Sequence, residues 1–217
     1  MDINGVIAEY NKVRDEEAAV KMSLYMKRNF KFLGVNKKKR ERINKKFFKT
    51  IILKENIDWK FVYQCYEKEE REFQYLALDY IFYMKELLKP EDIYILEKLI
   101  VVRPWWDVND LIAEIVGYMC LKYSRVKSRV LVWIDDQDIW HKRVALCCQN
   151  KLKLSTDKEL LSRAILHNIY TKEFIIDKAI GVALKEYSKS DEKWVKEFLE
   201  NHYLSSVSRR EAKRFLG

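Results

Sequence analysis

The segment Arg103-Pro104-Trp105-Trp106-Asp107-Val108-Asn109-Asp110 places two tryptophans and two carboxylates at the predicted start of a helix. Residues four apart share one helix face, so Trp106 and Asp110 would lie side by side. The indole face and the carboxylate would both attract a flat, positively charged partner. Because the chain has a formal net charge of +9, DNA that carries a cationic damaged base would suit both this acidic spot and its basic surround.

The composition favours a protein built from packed amphipathic helices. Only five glycines and two prolines occur among 217 residues, while 13% of the residues are aromatic and 35% are charged. Folds rich in turns and sheets need more glycine and proline. The isoelectric point of about 9.2 points to a polyanionic partner, with nucleic acid ahead of a membrane surface. A surplus of solubilising lysines is the alternative explanation.

The cysteines and histidines give no sign of a metal or cofactor. Cys65, Cys120, Cys147 and Cys148 show no CxxC spacing and no histidine at ligand spacing, so we expect reduced thiols in a cytoplasmic protein and no bound metal. The amino-terminal stretch lacks a basic segment followed by an apolar run, which is unlike a signal peptide. No apolar stretch approaches the roughly 20 residues that span a bilayer, so we expect no membrane association.

Apolar residues recur at intervals of three and four along nearly the whole chain, which predicts about a dozen helices. Breaks are predicted near Asn36, Asp58, Pro90, Pro104, Asp135, Asp157, Ser188 and Ser205. An internal repeat is indicated by alanines that are 36, 32, 34 and 33 residues apart, namely Ala77, Ala113, Ala145, Ala179 and Ala212. A period of this length fits stacked helix pairs, which form a solenoid with a concave face. A compact helical bundle is the alternative.

Six fragments in order resemble the DNA alkylation repair family of HEAT-like repeat proteins, from about Tyr25 to the carboxyl terminus. They are Tyr25-Met26-Lys27 with Phe32-Leu33-Gly34, Arg71-Glu72-Phe73-Gln74 with Ala77-Leu78-Asp79, Trp105-Trp106-Asp107 with Asp110, Trp140 with Arg143, Ala145 and Gln149, Lys178-Ala179-Ile180-Gly181 with Glu186-Tyr187, and Leu204-Ser205 with Ser208-Arg209-Arg210-Glu211-Ala212.

The resemblance implies an all-α protein, a right-handed solenoid of HEAT-like repeats that forms a single domain over residues 1–217 and binds duplex DNA on a concave basic face. It implies excision of N3- or N7-alkylated purines by hydrolysis of the N-glycosidic bond, without a cofactor and without a deep pocket for a flipped-out base. A bacterial protein of this kind would act as a monomer in the cytoplasm, associated with the nucleoid when it is on DNA.

Carried over by position, the resemblance makes Trp106 a cleft aromatic, Asp110 the catalytic carboxylate and Arg143 a cation that contacts the DNA backbone. Tyr25 matches a residue of the amino-terminal helices near the DNA. Val182 departs from the family pattern, because active relatives carry a second cleft tryptophan at this position. Some paralogues of the family bind branched or distorted DNA with little or no base excision, and Val182 raises that alternative.

Three basic clusters are candidates for contact with DNA phosphates. The first lies in the run from Lys37 to Lys46 and includes Lys38 and Arg40, and the second contains Lys27. The third comprises Arg209, Arg210, Lys213 and Arg214 near the carboxyl terminus. Solvated charge is the alternative explanation for these clusters, and Arg143 could pair with a buried acid rather than a phosphate.

A single carboxylate such as Asp110 is sufficient for the chemistry of this excision. An N7- or N3-alkylated purine leaves as a neutral base, so no general acid is needed, and one carboxylate can stabilise the oxocarbenium-like sugar and orient water. A first-turn carboxylate that complements the helix dipole is the structural alternative. Three functions therefore compete: an alkylpurine DNA glycosylase, a non-catalytic binder of branched or distorted DNA, and a protein-binding scaffold.

Overall fold

The computed structural model describes residues 3–50 and 55–216. Within these ranges the chain forms thirteen α-helices, four short 3-10 turns and one isolated β-bridge between Lys31 and Glu70, and no strand. The all-α prediction is confirmed. The chain forms two compact units, residues 1–88 and 89–217. The single domain over residues 1–217 and the concave basic face of a right-handed solenoid stay predictions.

The first unit contains five helices: α1 (Ile3–Lys12), α2 (Glu16–Tyr25), α3 (Lys37–Lys49), α4 (Trp59–Tyr66) and α5 (Arg71–Tyr83). Helix α3 packs on α1 and α5, and α4 packs on α5. The buried Glu72 carboxylate accepts hydrogen bonds from the backbone N–H groups of Leu33, Gly34 and Val35. These bonds tie the loop before α3 to the first turn of α5.

The second unit contains eight helices: α6 (Ile93–Ile100), α7 (Trp106–Lys122), α8 (Ser124–Ile134), α9 (Ile139–Cys147), α10 (Lys158–Leu166), α11 (Phe174–Ser188), α12 (Glu192–Asn201) and α13 (Ser206–Ala212). In chain order these helices form four consecutive pairs. The second helices of the pairs pack in a row, in which α9 lies between α7 and α11, and α13 packs on α11. This layering is what the alanine repeat predicts for the unit.

Local chemistry fixes where many helices begin. The predicted breaks at Asn36, Asp58, Asp157 and Ser205 are N-caps, and each side-chain oxygen accepts a hydrogen bond from a backbone N–H in the first turn of the following helix. Such caps satisfy donors that have no partner inside the helix. The capping residues therefore determine the register of the helices that follow them.

Small residues allow the second helices to approach closely. The repeat alanines Ala113, Ala145, Ala179 and Ala212 are all buried, one in each second helix of the unit. A Cβ atom built on Gly117 in α7 would lie 1.9 Å from the carbonyl oxygen of Cys148, just after α9. That distance leaves no room for any side chain, so glycine is required where α7 meets the end of α9.

Adjacent second helices run in the same direction. The rings of Trp105 and Trp140, near the starts of α7 and α9, have centroids 5.9 Å apart, and Gly117 meets Cys148 towards the other ends of these helices. Likewise, Ser208 near the start of α13 donates a 2.8 Å hydrogen bond to the carbonyl of Asp177 near the start of α11. The amino-terminal ends of this row therefore lie at one edge of the second unit. None of the described helices is long and apolar enough to cross a membrane.

Candidate active site

Asp110 and Arg143 form a bidentate ion pair between α7 and α9. Arg143 Nε donates to Asp110 Oδ1 at 3.0 Å and Nη2 donates to Oδ2 at 2.9 Å. Both side chains lie at the fifth residue of their helices, which run side by side in the same direction. A planar guanidinium that meets both carboxylate oxygens fixes the rotation as well as the position of the carboxylate.

The two partners differ sharply in exposure. The Arg143 side chain is 6% exposed, whereas the Asp110 side chain is 40% exposed. Arg143 also donates from Nη1 to the carbonyl oxygen of Ile175 in α11, at 3.1 Å. The buried Arg143 guanidinium therefore connects three consecutive second helices, α7, α9 and α11. It also positions the Asp110 carboxylate, which remains partly exposed to solvent.

Burial raises the pKa of the Asp110 carboxyl above its ordinary value, and the Arg143 guanidinium opposes this increase. Burial acts to lower the pKa of Arg143, but the pKa is raised overall, and the negative charge and hydrogen bonds of Asp110 contribute to that increase. The guanidinium thus stays protonated, and its hydrogen bonds favour the anionic carboxylate over the neutral acid. Burial raises the pKa of the Cys147 thiol to about 12, which leaves this cysteine a neutral neighbour of the pair rather than a nucleophile.

A cavity of about 210 Å³ opens beside the Asp110 carboxylate. Its walls come from α7, from the end of α9 and from α11, and the lining residues are Asp110, Leu111, Glu114, Cys147, Asn150, Lys151, Val182 and Glu186. Val182 therefore lies in the same cavity as Asp110, as the position carried over from the family predicts. Asp110, Glu114 and Glu186 line this space together with Lys151, and two of these carboxylates already face cations, since Asp110 pairs with Arg143 and Glu186 lies 2.6 Å from Lys189. Glu114 contributes a further negative charge to the wall.

Sequence reasoning missed Glu114 and Glu186 as members of this cavity. Glu114 follows Asp110 by four residues and Glu186 follows Val182 by four, so each lies one helical turn beyond a residue that was singled out. That spacing is a signal that could have found both. Lys151 and Asn150 lie beyond the carboxyl-terminal end of α9, and no periodic pattern could have placed them there.

The two tryptophans occupy the positions just before and at the start of α7. Trp105 is the N-cap residue and Trp106 is the first helical residue, and both are half-buried. The contact of Trp105 with Trp140 joins the amino-terminal ends of α7 and α9 and agrees with an inward position for Trp105. Trp106 lies one turn before Asp110, and its role as the cleft aromatic stays a prediction.

Most of the candidate DNA-binding residues outside this pair are exposed. Tyr25 is 72% exposed at the last residue of α2. Four basic candidates are also exposed, namely Lys27, Lys38, Arg210 and Lys213. Exposure leaves these groups accessible to a phosphate, and contact with DNA stays a prediction for each of them.

Arg40 and Arg209 have internal partners. The sequence predicts a DNA contact for Arg40, but its side chain is buried, its Nε lies 3.3 Å from the Asp79 carboxylate and its guanidinium lies over the Tyr75 ring. Arg209 Nη2 donates to the carbonyl oxygens of Leu199 and His202 at the end of α12. These contacts favour a structural role for both arginines, as does the pairing of Arg143 with Asp110 for that residue.

The described residues contain no group of three histidine, cysteine, aspartate or glutamate side chains placed to hold a metal ion. The four cysteines are buried free thiols.

Comparison with known proteins identifies the family of this chain. The family model described as DNA alkylation repair enzyme matches residues 6–216. The chain belongs to the DNA alkylation repair family. A solved structure of a predicted DNA alkylation repair enzyme from Enterococcus faecalis is 31% identical to this chain, covers 94% of it and 97% of its own length, and superposes with a TM-score of 0.86. No curated protein matches the chain.

Membership of the DNA alkylation repair family assigns the protein to DNA repair and makes DNA its partner. It also fits the basic character of the chain, whose net charge of +9 suits a polyanionic ligand. The Asp110–Arg143 pair and the cavity beside it are the candidate reaction site of this family member.

Proposed function

We propose that this protein excises cationic N3- or N7-alkylated purines from duplex DNA by hydrolysing the N-glycosidic bond. The observation that carries the proposal is the Asp110 carboxylate, which Arg143 holds rigidly at the wall of a cavity while 40% of the side chain stays exposed. A carboxylate fixed in this way is suited to stabilising positive charge on a nearby sugar.

The chemistry needs few protein groups. Alkylation gives the purine a formal positive charge, so the base leaves as a neutral molecule when the C1′–N bond breaks, and the bonding electron pair goes to the base. The positive charge then develops on the deoxyribose ring as an oxocarbenium-like species. Asp110 would stabilise that charge and accept a proton from the attacking water, which completes hydrolysis to an abasic site.

Arg143 leaves part of the Asp110 carboxylate available for this work. Each carboxylate oxygen can accept two hydrogen bonds, and the guanidinium occupies one site on each oxygen. The remaining site of each oxygen is free to face the cavity. We assign Arg143 as a positioning residue, because it fixes the carboxylate and does not itself face the sugar.

The size and charge of the cavity fit this reaction class. At about 210 Å³ it is smaller than the roughly 300–1,000 Å³ of pockets that enclose small molecules. A base need not be enclosed, because a cationic leaving group requires no protonation. Glu114 on the wall would favour the approach of a cationic nucleotide over an undamaged one. Trp106 would contribute an aromatic face to the same cation.

The exposed residues Tyr25, Lys27, Lys38, Arg210 and Lys213 would hold duplex DNA by contacts with its backbone. Each phosphate that a cation neutralises releases a counterion, so binding should weaken steeply as salt rises. These contacts carry no information on the damaged base and leave its selection to the cavity.

The experiment is a single-turnover assay on a duplex that carries one 7-methylguanine, with enzyme in excess. Release of free 7-methylguanine and formation of an alkali-labile abasic site support the proposal. An otherwise identical undamaged duplex is the control. A protein that binds the damaged duplex but leaves it intact contradicts excision.

Val182 favours a second candidate, a non-catalytic protein that binds branched or distorted DNA. An aliphatic side chain lines the cavity where active relatives carry a tryptophan, and it offers no π face to a cation. This candidate predicts tighter binding to a four-way junction than to plain duplex, with no base release and with affinity unchanged in Asp110→Asn. Equal affinity for the two DNAs would exclude it.

A further inference from the structure

Two tyrosines project into solvent from equivalent turns of the second unit. Tyr170 precedes α11 and Tyr203 precedes α13, and they are 75% and 77% exposed. They are 33 residues apart, the same separation as Ala179 and Ala212 in the helices that follow. The two rings therefore occupy matching positions in consecutive repeats. A large aromatic exposed at the same place twice suggests a surface that binds something.

The two turns lie next to each other. Ser208 Oγ donates to the carbonyl oxygen of Asp177 at 2.8 Å, which brings the first turns of α13 and α11 together. Because the second helices run in the same direction, these turns lie at the edge that also carries the start of α7. Asp110 is the fifth residue of α7, and the cavity beside it extends towards the opposite edge, where Asn150 and Lys151 follow the end of α9.

Hydrogen bonds hold the backbone of the first turn rigidly. The buried Asn168 amide donates to the carbonyl oxygens of Ile134 and Ala164, both at 3.0 Å, and Thr171 Oγ1 donates to the Asn168 carbonyl at 3.1 Å. Tyr170 lies between these two polar residues. The exposed ring thus stands on a fixed base.

Arg209 holds the backbone of the second turn in place. Its Nη2 donates to the carbonyl oxygens of Leu199 at 2.8 Å and His202 at 3.1 Å, which fastens the end of α12 just before Tyr203. Because the backbone beneath the ring is already fixed, only the side-chain torsions of Tyr203 need to be ordered when a ligand stacks on it, which lowers the cost of binding.

The surrounding charge favours a polyanion. Lys172 lies two residues after Tyr170, and Arg210 lies in α13; both are exposed. Glu173 is the exposed acid beside Lys172. Proteins that bind single-stranded nucleic acid use exposed aromatic rings interleaved with cations, because every base has a π face and every linkage carries a phosphate.

We propose that Tyr170 and Tyr203, with Lys172 beside them, form a stacking platform for unpaired DNA bases. This inference rests on the DNA-binding part of the proposed function. The platform would engage bases that leave the helix near a lesion or in distorted DNA, while the cavity beside Asp110 engages the damaged nucleotide itself. Phe174, which is 64% exposed at the first residue of α11, lies beside this platform along the chain.

The test compares three labelled DNAs by fluorescence anisotropy: a single strand of thymidines, a duplex with a two-base bulge that contains 2-aminopurine, and the fully paired duplex. The wild type should bind the bulged duplex more tightly than the paired one and should quench 2-aminopurine as the base stacks. Tyr170→Ala with Tyr203→Ala should weaken binding to the bulge and to the single strand about ten-fold or more. Affinity for the paired duplex should stay unchanged.

Two controls separate stacking from other effects. Tyr170→Phe with Tyr203→Phe keeps both rings and should keep the affinity and the quenching. Leu154→Ala removes a side chain that is 83% exposed beyond the carboxyl-terminal end of α9, which is the opposite edge of the row, and should change nothing.

Two results would overturn the proposal. One is wild-type affinity of the double alanine variant for all three DNAs, which would show that the tyrosines do not stack on DNA bases. The other is equal loss in the alanine and phenylalanine variants, which would assign the effect to the hydroxyl groups. Asp110→Asn does not alter these turns, so loss of excision and loss of bulge binding can be observed independently.

Discussion

Val182 and Asp110 line the same cavity from opposite helices of the row, α11 and α7, with α9 between them. The side chain at position 182 is therefore placed to contact whatever Asp110 acts on. Because the Asp110 carboxylate and Arg143 are both present, the effect of Val182 on the excision rate depends on how much an aromatic face at this position would stabilise the reaction.

Val182→Trp should raise the single-turnover rate of 7-methylguanine release about 2- to 30-fold, which is the range expected from a new cation–π contact of roughly 0.5–2 kcal/mol. Val182→Leu is the matched control, because it adds volume without a π face and should leave the rate unchanged. A tryptophan variant that folds but excises no faster than the wild type would show that the cavity does not use an aromatic at this position.

Arg143→Lys should slow excision about 100-fold even at saturating enzyme, because an ammonium group cannot hold both carboxylate oxygens and the Ile175 carbonyl at once. Arg209→Lys is the matched control. It also removes guanidinium hydrogen bonds to backbone carbonyls, but these lie at the end of α12, so stability should fall while the excision rate is kept. Wild-type excision by Arg143→Lys would contradict the positioning role.

The rate of excision should rise with pH and then reach a plateau, because the ionised form of Asp110 is the active one. Burial raises the pKa of Asp110 above its ordinary value of 3.8, so the rise should be centred above that value. Arg143→Met removes the cation that opposes the increase and should move the rise to higher pH. Single-turnover rates from about pH 4 to pH 8 would measure this shift, with Asp110→Asn as the background. A profile that is flat in the wild type would exclude a titrating carboxylate.

Glu211 should stabilise the second unit strongly at neutral pH. Its buried carboxylate contacts Lys178, Lys185 and Arg214 at 2.5, 3.1 and 3.0 Å, and hydrogen bonds from these cations, that of Lys178 foremost, lower the pKa of Glu211 to about 2. Relative to the ordinary value of 4.5, this shift corresponds to about 3 kcal/mol of stability. The contribution is complete above pH 4.5 and is lost as the pH falls towards 2.

Glu211→Gln should therefore lower the free energy of unfolding in urea by about 3 kcal/mol at neutral pH. The difference from the wild type should shrink as the pH is lowered from 4.5 towards 2. Glu200→Gln, which changes an exposed acid in α12, should have no measurable effect. A difference that stays constant with pH would show that Glu211 acts through packing rather than through its charge.

Much of the fold could be predicted because its signals are local. Asn36, Asp58, Asp157 and Ser205 cap helices within three residues of themselves, so the sequence around each break contains the whole interaction. The alanine repeat could be recognised in the sequence for a related reason. A small residue recurs wherever one second helix meets the next, and the same packing requirement returns with every pair.

The pairing of Asp110 with Arg143 was only partly within reach of the sequence. These residues are 33 apart, close to the repeat length, which places them on neighbouring helices at similar heights. The sequence alone left open whether the arginine contacts a phosphate or an acid. That choice depends on burial between α7, α9 and α11, which is a tertiary property.

Arg40 shows where a charge run misleads. It lies among seven Lys or Arg residues between positions 37 and 46, and density of charge predicts a solvated face. Yet Arg40 is buried on the same face of α3 as Ile43, Asn44 and Phe48, because Asp79 and the Tyr75 ring accept its guanidinium. The helical period was present, but the partners that make burial favourable lie in α5 and cannot be read from α3.

Whether Asp110 performs the chemistry can be decided with the variant Asp110→Asn. The measurement is the single-turnover release of 7-methylguanine by the wild type and the variant, with the affinity for the same duplex determined in parallel. The asparagine variant should bind the damaged duplex as the wild type does, and should release the base at least about 100-fold more slowly. Release at the wild-type rate by the variant would contradict this role of Asp110.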